Sequence, residues 1–256
     1  MRRIDHISDL HFNRIDPAAT AALLDRLNED PADLVAVSGD LTMRARRREY
    51  AAAAEFLRAL RAPWIAVPGN HDITAYWPWE RFLVPFGRWQ EAVGATTEPD
   101  WIDPEIAVLG LNTVSRGGLW HSWADGAVHR RALLRLLRRL RGLPRGPVRI
   151  VLAHHPFLAP SWAPETTLVR GAPRALRALA RSGVRLILAG HLHRGYVSDF
   201  DVAATHRHRL TVLQAGSATS LRLRGEANAY NRIIVEAGNV SWTVSRWTGT
   251  AWMEAA

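Results

Sequence analysis

Short runs rich in Val, Ile and Leu recur along the chain, and stretches of helical periodicity separate them, most regularly in its first half. The runs predict strands over 3–7, 34–38, 64–67, 106–111, 148–153, 184–189, 210–214, 232–236 and 240–246. Near-continuous apolar character is what strands buried on both faces show. Helices are predicted over 17–29, 46–61, 127–141 and 173–181. Pro17 and Pro173 suit a first helical turn, and Gly142 and Gly183 suit the position that ends a helix. Strand–helix alternation calls for parallel pairing with helices laid over the sheet, an α/β fold. The last third is mostly strand and predicts a second sheet packed on the first. With no internal repeat and no low-complexity linker, residues 1–256 read as one domain.

Composition closes off several classes. At 48% hydrophobic and 22% charged, the chain can bury a sizeable core and is not an intrinsically disordered one. No apolar run reaches the roughly 18 residues of a spanning helix. The start, MRRIDHISDL, has its apolar stretch broken by Asp5 and His6; it reads as a first strand, not a signal peptide. Cysteine is absent, which excludes disulfides and thiolate metal sites, so any metal must rest on His, Asp, Glu or Asn. The cytoplasm is the expected compartment. The formal net charge is +9, and all 33 basic residues are Arg. Abundant Ala beside that Arg bias points to coding composition more than to a dedicated polyanion surface. A positive surface still favours anionic substrates, nucleic acid or acidic lipid.

What ends the strands is more informative. The first runs into SDLHF (Asp9, His11), the second into SGDLT (Asp40), and the third into PGNHD (Asn70, His71, Asp72). The run over 148–153 leads into HHPF (His154, His155), and that over 184–189 into GHLHRG (His191, His193). Ligands of open α/β sheets bind beyond the carboxyl ends of the strands, so these ends deliver Asp, Asn and His to one rim. Gly39, Gly69 and Gly190 each precede one of these polar residues, where glycine allows a sharp turn that aims the next side chain. Asp, Asn and His without Cys form a hard-to-borderline donor set, suited to Mn, Fe, Zn, Co or Ni. So many donors exceed one tetrahedral site and suit two ions sharing a carboxylate. Two divalent ions about 3.5–4 Å apart can activate a water and clamp a phosphoryl oxygen.

In this order, D-x-H, G-D, G-N-H-D, H and G-H-x-H resemble the calcineurin-like metallophosphoesterase superfamily. Within it, ISDLHF, GNHD, HHP and GHLH are similar to the bacterial branch related to class III cyclic-nucleotide phosphodiesterases. The resemblance spans Asp9 to His193, and no ligand position is replaced. It implies a metallo-dependent phosphatase fold, a four-layer αββα sandwich of two packed mixed β-sheets flanked by helices. It implies that Asp9, His11 and His193 hold one ion, that Asn70, His154 and His191 hold a second, and that Asp40 bridges both. His71 would bind no metal; it would face the phosphate and assist the leaving oxygen. Asp72, its neighbour, would either orient His71 or cap the following segment. The cofactors implied are two divalent or mixed-valence transition-metal ions. The activity implied is hydrolysis of a small anionic phosphodiester, of cyclic-nucleotide or glycerophosphodiester type, by attack of a metal-bridging hydroxide.

Other features leave alternatives open. Asn112 and His121 lie beyond another strand end and are candidate substrate contacts. His155 reads as a neighbour of the ligands or a surface residue, and His6 as a hydrogen-bonded core histidine. HRHR at 206–209 reads as a solvated hairpin end or a small metal or anion patch. An insert at about 74–103 holds Tyr76, Trp77, Trp79, Phe82, Phe86, Trp89 and Trp101, broken by Pro78, Pro85 and Pro99. It is either a short helix whose aromatics cap the core or an aromatic wall over the site. Residues 129–144 form a basic amphipathic helix with Leu133, Leu136, Leu137 and Leu140 on one face. That face is expected on the sheet, with peripheral contact to an anionic membrane as the alternative. The same centre would also serve a nuclease, a phosphomonoesterase or a lipid-linked pyrophosphate hydrolase. A scaffold that keeps metal only for stability is the non-catalytic alternative.

Overall fold

The structure, a computed structural model, describes residues 1–117, 122–201 and 209–255. The first half carries β1 (Arg2–Ile7), α1 (Pro17–Glu29), β2 (Leu34–Val37), α2 (Arg47–Ala59), β3 (Trp64–Ala66), α3 (Pro78–Leu83), α4 (Gly87–Ala92), β4 (Asp100–Ile102) and β5 (Ile106–Gly110). The second carries α5 (Arg130–Gly142), β6 (Val148–Leu152), α6 (Ala172–Arg181), β7 (Val184–Ala189), β8 (Tyr196–Phe200), β9 (Leu210–Gln214), β10 (Ala229–Glu236), β11 (Asn239–Trp247) and β12 (Trp252–Ala255). The strands form two six-stranded mixed sheets, ordered β12-β11-β10-β1-β2-β3 and β4-β5-β6-β7-β9-β8. In the first, β1, β2 and β3 are parallel and β10 runs antiparallel beside β1. In the second, β5, β6, β7 and β9 are parallel, with β4 and β8 antiparallel at the edges.

Three apolar clusters make this a four-layer sandwich. Ile4, Leu34, Ala36 and Ile65 of the first sheet meet Val108, Ile150, Leu186 and Leu188 of the second between the sheets. Leu23 and Leu27 of α1 and Tyr50, Ala53 and Leu57 of α2 cover the outer face of the first sheet. Leu133, Leu136 and Leu140 of α5 and Leu176 and Leu179 of α6 cover the outer face of the second. The leucine face of α5 is therefore spent on the core, as the packing expectation had it. Among the described residues no helix is long and apolar enough to cross a membrane.

Several expectations shift in detail. α5 begins at Arg130, not at 127, because Ala127 is held extended by a bridge to Arg170. Gly183 follows α6 with φ +75°, a left-handed stop, whereas Gly142 is the last helical residue of α5. β4, β8 and β12 had no apolar signature. Strands at a sheet margin keep one face in water, and the burial of β8 alternates accordingly. The aromatic insert is only partly core. Trp89 is fully buried against the α2 layer, while Tyr76, Trp77, Trp79 and Phe82 are exposed.

His6 is buried between Ser38 Oγ at 2.9 Å and Asn231 Nδ2 at 3.2 Å. Burial pushes its imidazole down from 6.5 to about 3. The folded state thus keeps it neutral while the unfolded chain takes up a proton below pH 6.5. Stability present above pH 6.5 is lost as pH falls toward about 3, at about 1.4 kcal/mol per pH unit. Urea unfolding of His6→Gln is expected to show a pH slope between 6 and 4 shallower by about that amount. An unchanged slope would show that His6 titrates alike in both states.

Candidate metal centre

The rim is built from loops with strained backbone. Asp9, His11, Asp40, His191 and His193 have φ of 52°, 51°, 53°, 82° and 60°. For residues with a Cβ such conformations cost of order 1–3 kcal/mol each and persist only where the surroundings enforce them. Loop-to-loop hydrogen bonds do so here: Asp9 N donates to Gly39 O at 3.1 Å, His11 N to Asp40 O at 2.9 Å, and Gly190 N to His154 O at 2.9 Å. The glycines act differently from the turn expectation. Gly39 has φ +91°, but Gly69 is extended. A Cβ on Gly69 would lie 2.1 Å from Asp40 Oδ1, and one on Gly190 1.8 Å from Ser8 Oγ. Gly69 and Gly190 therefore serve close approach between loops.

The structure brings Asp9, His11, Asp40, Asn70, His154, His191 and His193 together. Among the described residues, donor atoms of Asp9, His11 and His193, of Asp9, Asp40 and His154, of His11, Asp40 and His71, and of His154, His155 and His191 each cluster within 4.8 Å. His11 Nε2 lies 3.2 Å from His193 Nε2 and 3.6 Å from Asp9 Oδ1. His154 Nε2 and His191 Nδ1 lie 3.1 and 2.9 Å from Asn70 Oδ1. Asp40 Oδ2 stands between the two groups, 3.6 Å from His11 Nε2 and 3.4 Å from His154 Nε2.

The electrostatics call for a cation. His11 and His154 each use Nδ1 to donate to a backbone oxygen, of Thr42 at 3.3 Å and Ser38 at 2.6 Å, which leaves Nε2 facing the cluster. Asp9 Oδ1 is buried with no hydrogen-bond partner. Burial alone would raise Asp9 and Asp40, but the surrounding imidazoles hold both carboxyls below the usual range. Burial holds His191 at about 3 and His193 at about 4. His154 moves the other way: burial opposes its charge, yet Asp40 and Asp9 lift it to about 9. Ionised carboxylates, imidazole nitrogens and an amide oxygen aimed into one volume fit transition-metal ions, which would displace the proton that Asp40 and Asp9 hold on His154.

His71 and Asp72 part company. His71 Nδ1 donates to Met43 O at 2.7 Å, and its Nε2 accepts from Arg222 Nη1 at 3.3 Å. Burial lowers the imidazole from its ordinary value. Met43 O, and not the Asp72 carboxylate, holds Nδ1, and Asp72 does not cap the following helix, whose cap residue is Trp77; both of its expected roles are corrected. The Asp72 carboxylate accepts from Leu41 N, Thr42 N, Thr42 Oγ1 and Gly69 N at 2.9–3.1 Å, tying the loops after β2 and β3 together. Burial, then the nearby Asp40, raises it to about 6.

Arg222 escaped the sequence reading. It lies in a loop beyond β9, whose carboxyl end shares the rim, and that position was its available signal. Ser217, which meets His193 Nδ1 at 2.5 Å, sits in the same loop. His155 is buried, with Nδ1 2.8 Å from Thr113 Oγ1 and its ring centroid 4.9 Å from that of His191. Asn112 is not brought to the cluster. Its Oδ1 accepts from Val114 N at 2.9 Å, and the residue lines a separate cavity. His121 and residues 206–208 lie outside the described residues.

The calcineurin-like phosphoesterase family matches residues 2–195, and the chain belongs to that family. It is thereby a metal-dependent phosphoester hydrolase. A probable cyclic nucleotide phosphodiesterase from Synechococcus sp. is 27% identical over 205 residues, covering 76% of this chain and 74% of that one. A 3′,5′-cyclic adenosine monophosphate phosphodiesterase from Escherichia coli is 28% identical over 178 residues, covering 69% of this chain and 60% of that one. The chain therefore spans about three quarters and three fifths of these curated relatives. Purple acid phosphatase PPD1 from yellow lupin superposes with a TM-score of 0.70 at 13% identity, covering 99% of this chain and 52% of that one. At that identity the likeness concerns the fold.

Asp72→Asn places an amide N–H₂ among backbone donors. It is expected to cost about 1–3 kcal/mol in urea unfolding of the chelator-treated protein. A full loss of turnover at unchanged stability would instead assign Asp72 to the chemistry.

Proposed function

We propose that the chain is a dinuclear-metal phosphodiesterase acting on a small phosphodiester. The observation that carries this reading is the position of Asp40 between two donor groups, beside the unpartnered Oδ1 of Asp9. Asp9, His11 and His193 would hold one ion, Asn70, His154 and His191 the other, with Asp40 shared. When bound, the ions would activate water for attack on phosphorus and offset phosphoryl charge.

The chain's own residues supply the rest. Arg222 Nη1 and His71 Nε2 meet at one point, so a phosphate placed there touches both. Arg222 would hold a non-bridging oxygen. With Nδ1 fixed on Met43 O, Nε2 is the His71 atom that can carry a proton to the departing alkoxide. An anion beside Nε2 raises its proton affinity, opposing the burial that lowers it in the free protein. A cavity of about 210 Å³ beside His71, lined by Met43, Arg44, Ile73, Ala75 and Tyr76, suits an organic substituent on phosphorus. One guanidinium on His71 Nε2 suits a monoanionic diester better than a dianionic monoester. The phosphodiesterase relatives from Synechococcus and E. coli support the same choice.

Paired assays with bis(p-nitrophenyl) phosphate and p-nitrophenyl phosphate in Mn²⁺ should favour the diester and fail in chelator. Preference for the monoester would overturn the diesterase reading. Asp40→Ala is expected to lose bound metal by elemental analysis, and retention of two ions would contradict the shared role. His71→Ala should keep its metal while kcat falls about 10²–10⁴-fold. Metal loss in that variant would make His71 a ligand.

A further inference from the structure

Beside α5 lies a cavity of about 570 Å³, a volume typical of small-molecule sites. It is lined by none of the seven clustered residues. Arg116, Arg131, Arg135 and Arg170 converge on it, and among the described residues Glu98 is the one carboxylate in its lining. Glu98 is engaged by Arg135 at 2.9 Å. Among the described residues no carboxylate pairs with Arg116, Arg131 or Arg170. Arg116 Nη1 donates to Phe82 O, and Arg170 is aimed by Gly126 O and Ser115 Oγ. These are contacts with neutral oxygens, which fix the guanidiniums without cancelling their charge.

Two further observations agree in sign. The first turn of the thirteen-residue α5 opens at this cavity, and its cap residue His129 gives no side-chain cap, so the helix presents uncapped N–H groups and its positive end. Burial, and after it the charges of Arg170 and Arg116, hold His129 below its ordinary pKa, so the neighbouring guanidiniums add to the shift that burial causes. Phe86 and Val114 add an apolar wall. The Arg excess that reads as coding bias along the sequence is focused here by the fold.

We propose that this cavity is a second anion site, separate from the reaction centre, which takes a small molecule with two or more phosphate groups, of the nucleoside diphosphate class. Guanidiniums from the loop after β5, from α5 and from the segment before α6 would share the phosphates, and Phe86 would face the organic part.

The test is calorimetric titration of the full chain with adenosine 5′-(α,β-methylene)diphosphate, metal-loaded and after chelation. Saturable binding that survives chelation and weakens with salt is expected. Arg116→Gln/Arg131→Gln should weaken it at least about tenfold and leave turnover of the diester reporter unchanged. Should the double variant lose its folded circular dichroism, Arg131→Gln alone serves, since that side chain makes no hydrogen bond or ion pair among the described residues. No saturable binding after chelation, or equal affinity in the folded variant, would overturn the proposal. So would binding of a single-stranded oligonucleotide, weakened by the same substitution, without binding of the nucleotide.

Discussion

The rim is organised around an electrostatic conflict. His11 and His154 each give one ring nitrogen to a protein oxygen and turn the other toward a volume already occupied by carboxylate and amide oxygens. Carboxylate and amide oxygens crowded together repel, burial removes the water that would otherwise separate them, and the proton that Asp40 and Asp9 hold on His154 offsets only part of the conflict. A cation resolves the conflict, and the surrounding fold keeps the donors from turning away in its absence. That is why the site's hydrogen bonds lie behind the donors, on Ser38, Thr42 and Ser217, more than among them.

Holding such an arrangement requires stiffness from elsewhere. Five left-handed residues in the rim are unfavourable backbone choices, offset by the two sheets and their helical covers. Asp72 extends this support. A buried carboxylate saturated by backbone and hydroxyl donors joins two loops that come from different strands. The same aspartate that adjoins His71 in sequence thus serves the frame around the imidazole, and a main-chain carbonyl aligns the ring.

The parts legible in sequence were those written as local pattern. Apolar runs gave the central strands, because these are buried on both faces, and the polar residues at their ends gave the cluster. β4, β8 and β12 were hidden because a half-exposed edge strand looks like loop. Arg222 was hidden because one arginine among so many carries no signal until the fold sets it against His71. The same holds for the arginines around the α5 cavity, which come from three separate segments. Asp72 was misjudged in both of its readings, since its carboxylate binds N–H and O–H groups earlier in the chain, because adjacency in sequence says nothing of side-chain direction. Gly69 and Gly190 were seen at the right places for a different reason: the missing Cβ matters more there than the freedom of φ.

The pairing of β1 with β10 carries a consequence for how the molecule comes into being. β1 delivers Asp9 and His11 to the rim, yet one of its flanks is closed only by β10, with His6 opposite Asn231 across 225 residues of chain. Until that partner exists, β1 is an open edge whose donors and acceptors invite the wrong neighbour. Contacts so distant along the chain are slow to form, since the loop must close before the pairing repays it. The Asp9–His11 motif is therefore among the last parts of the rim to be locked in place, and a cation captured by the half-made rim would be held by an unfinished frame.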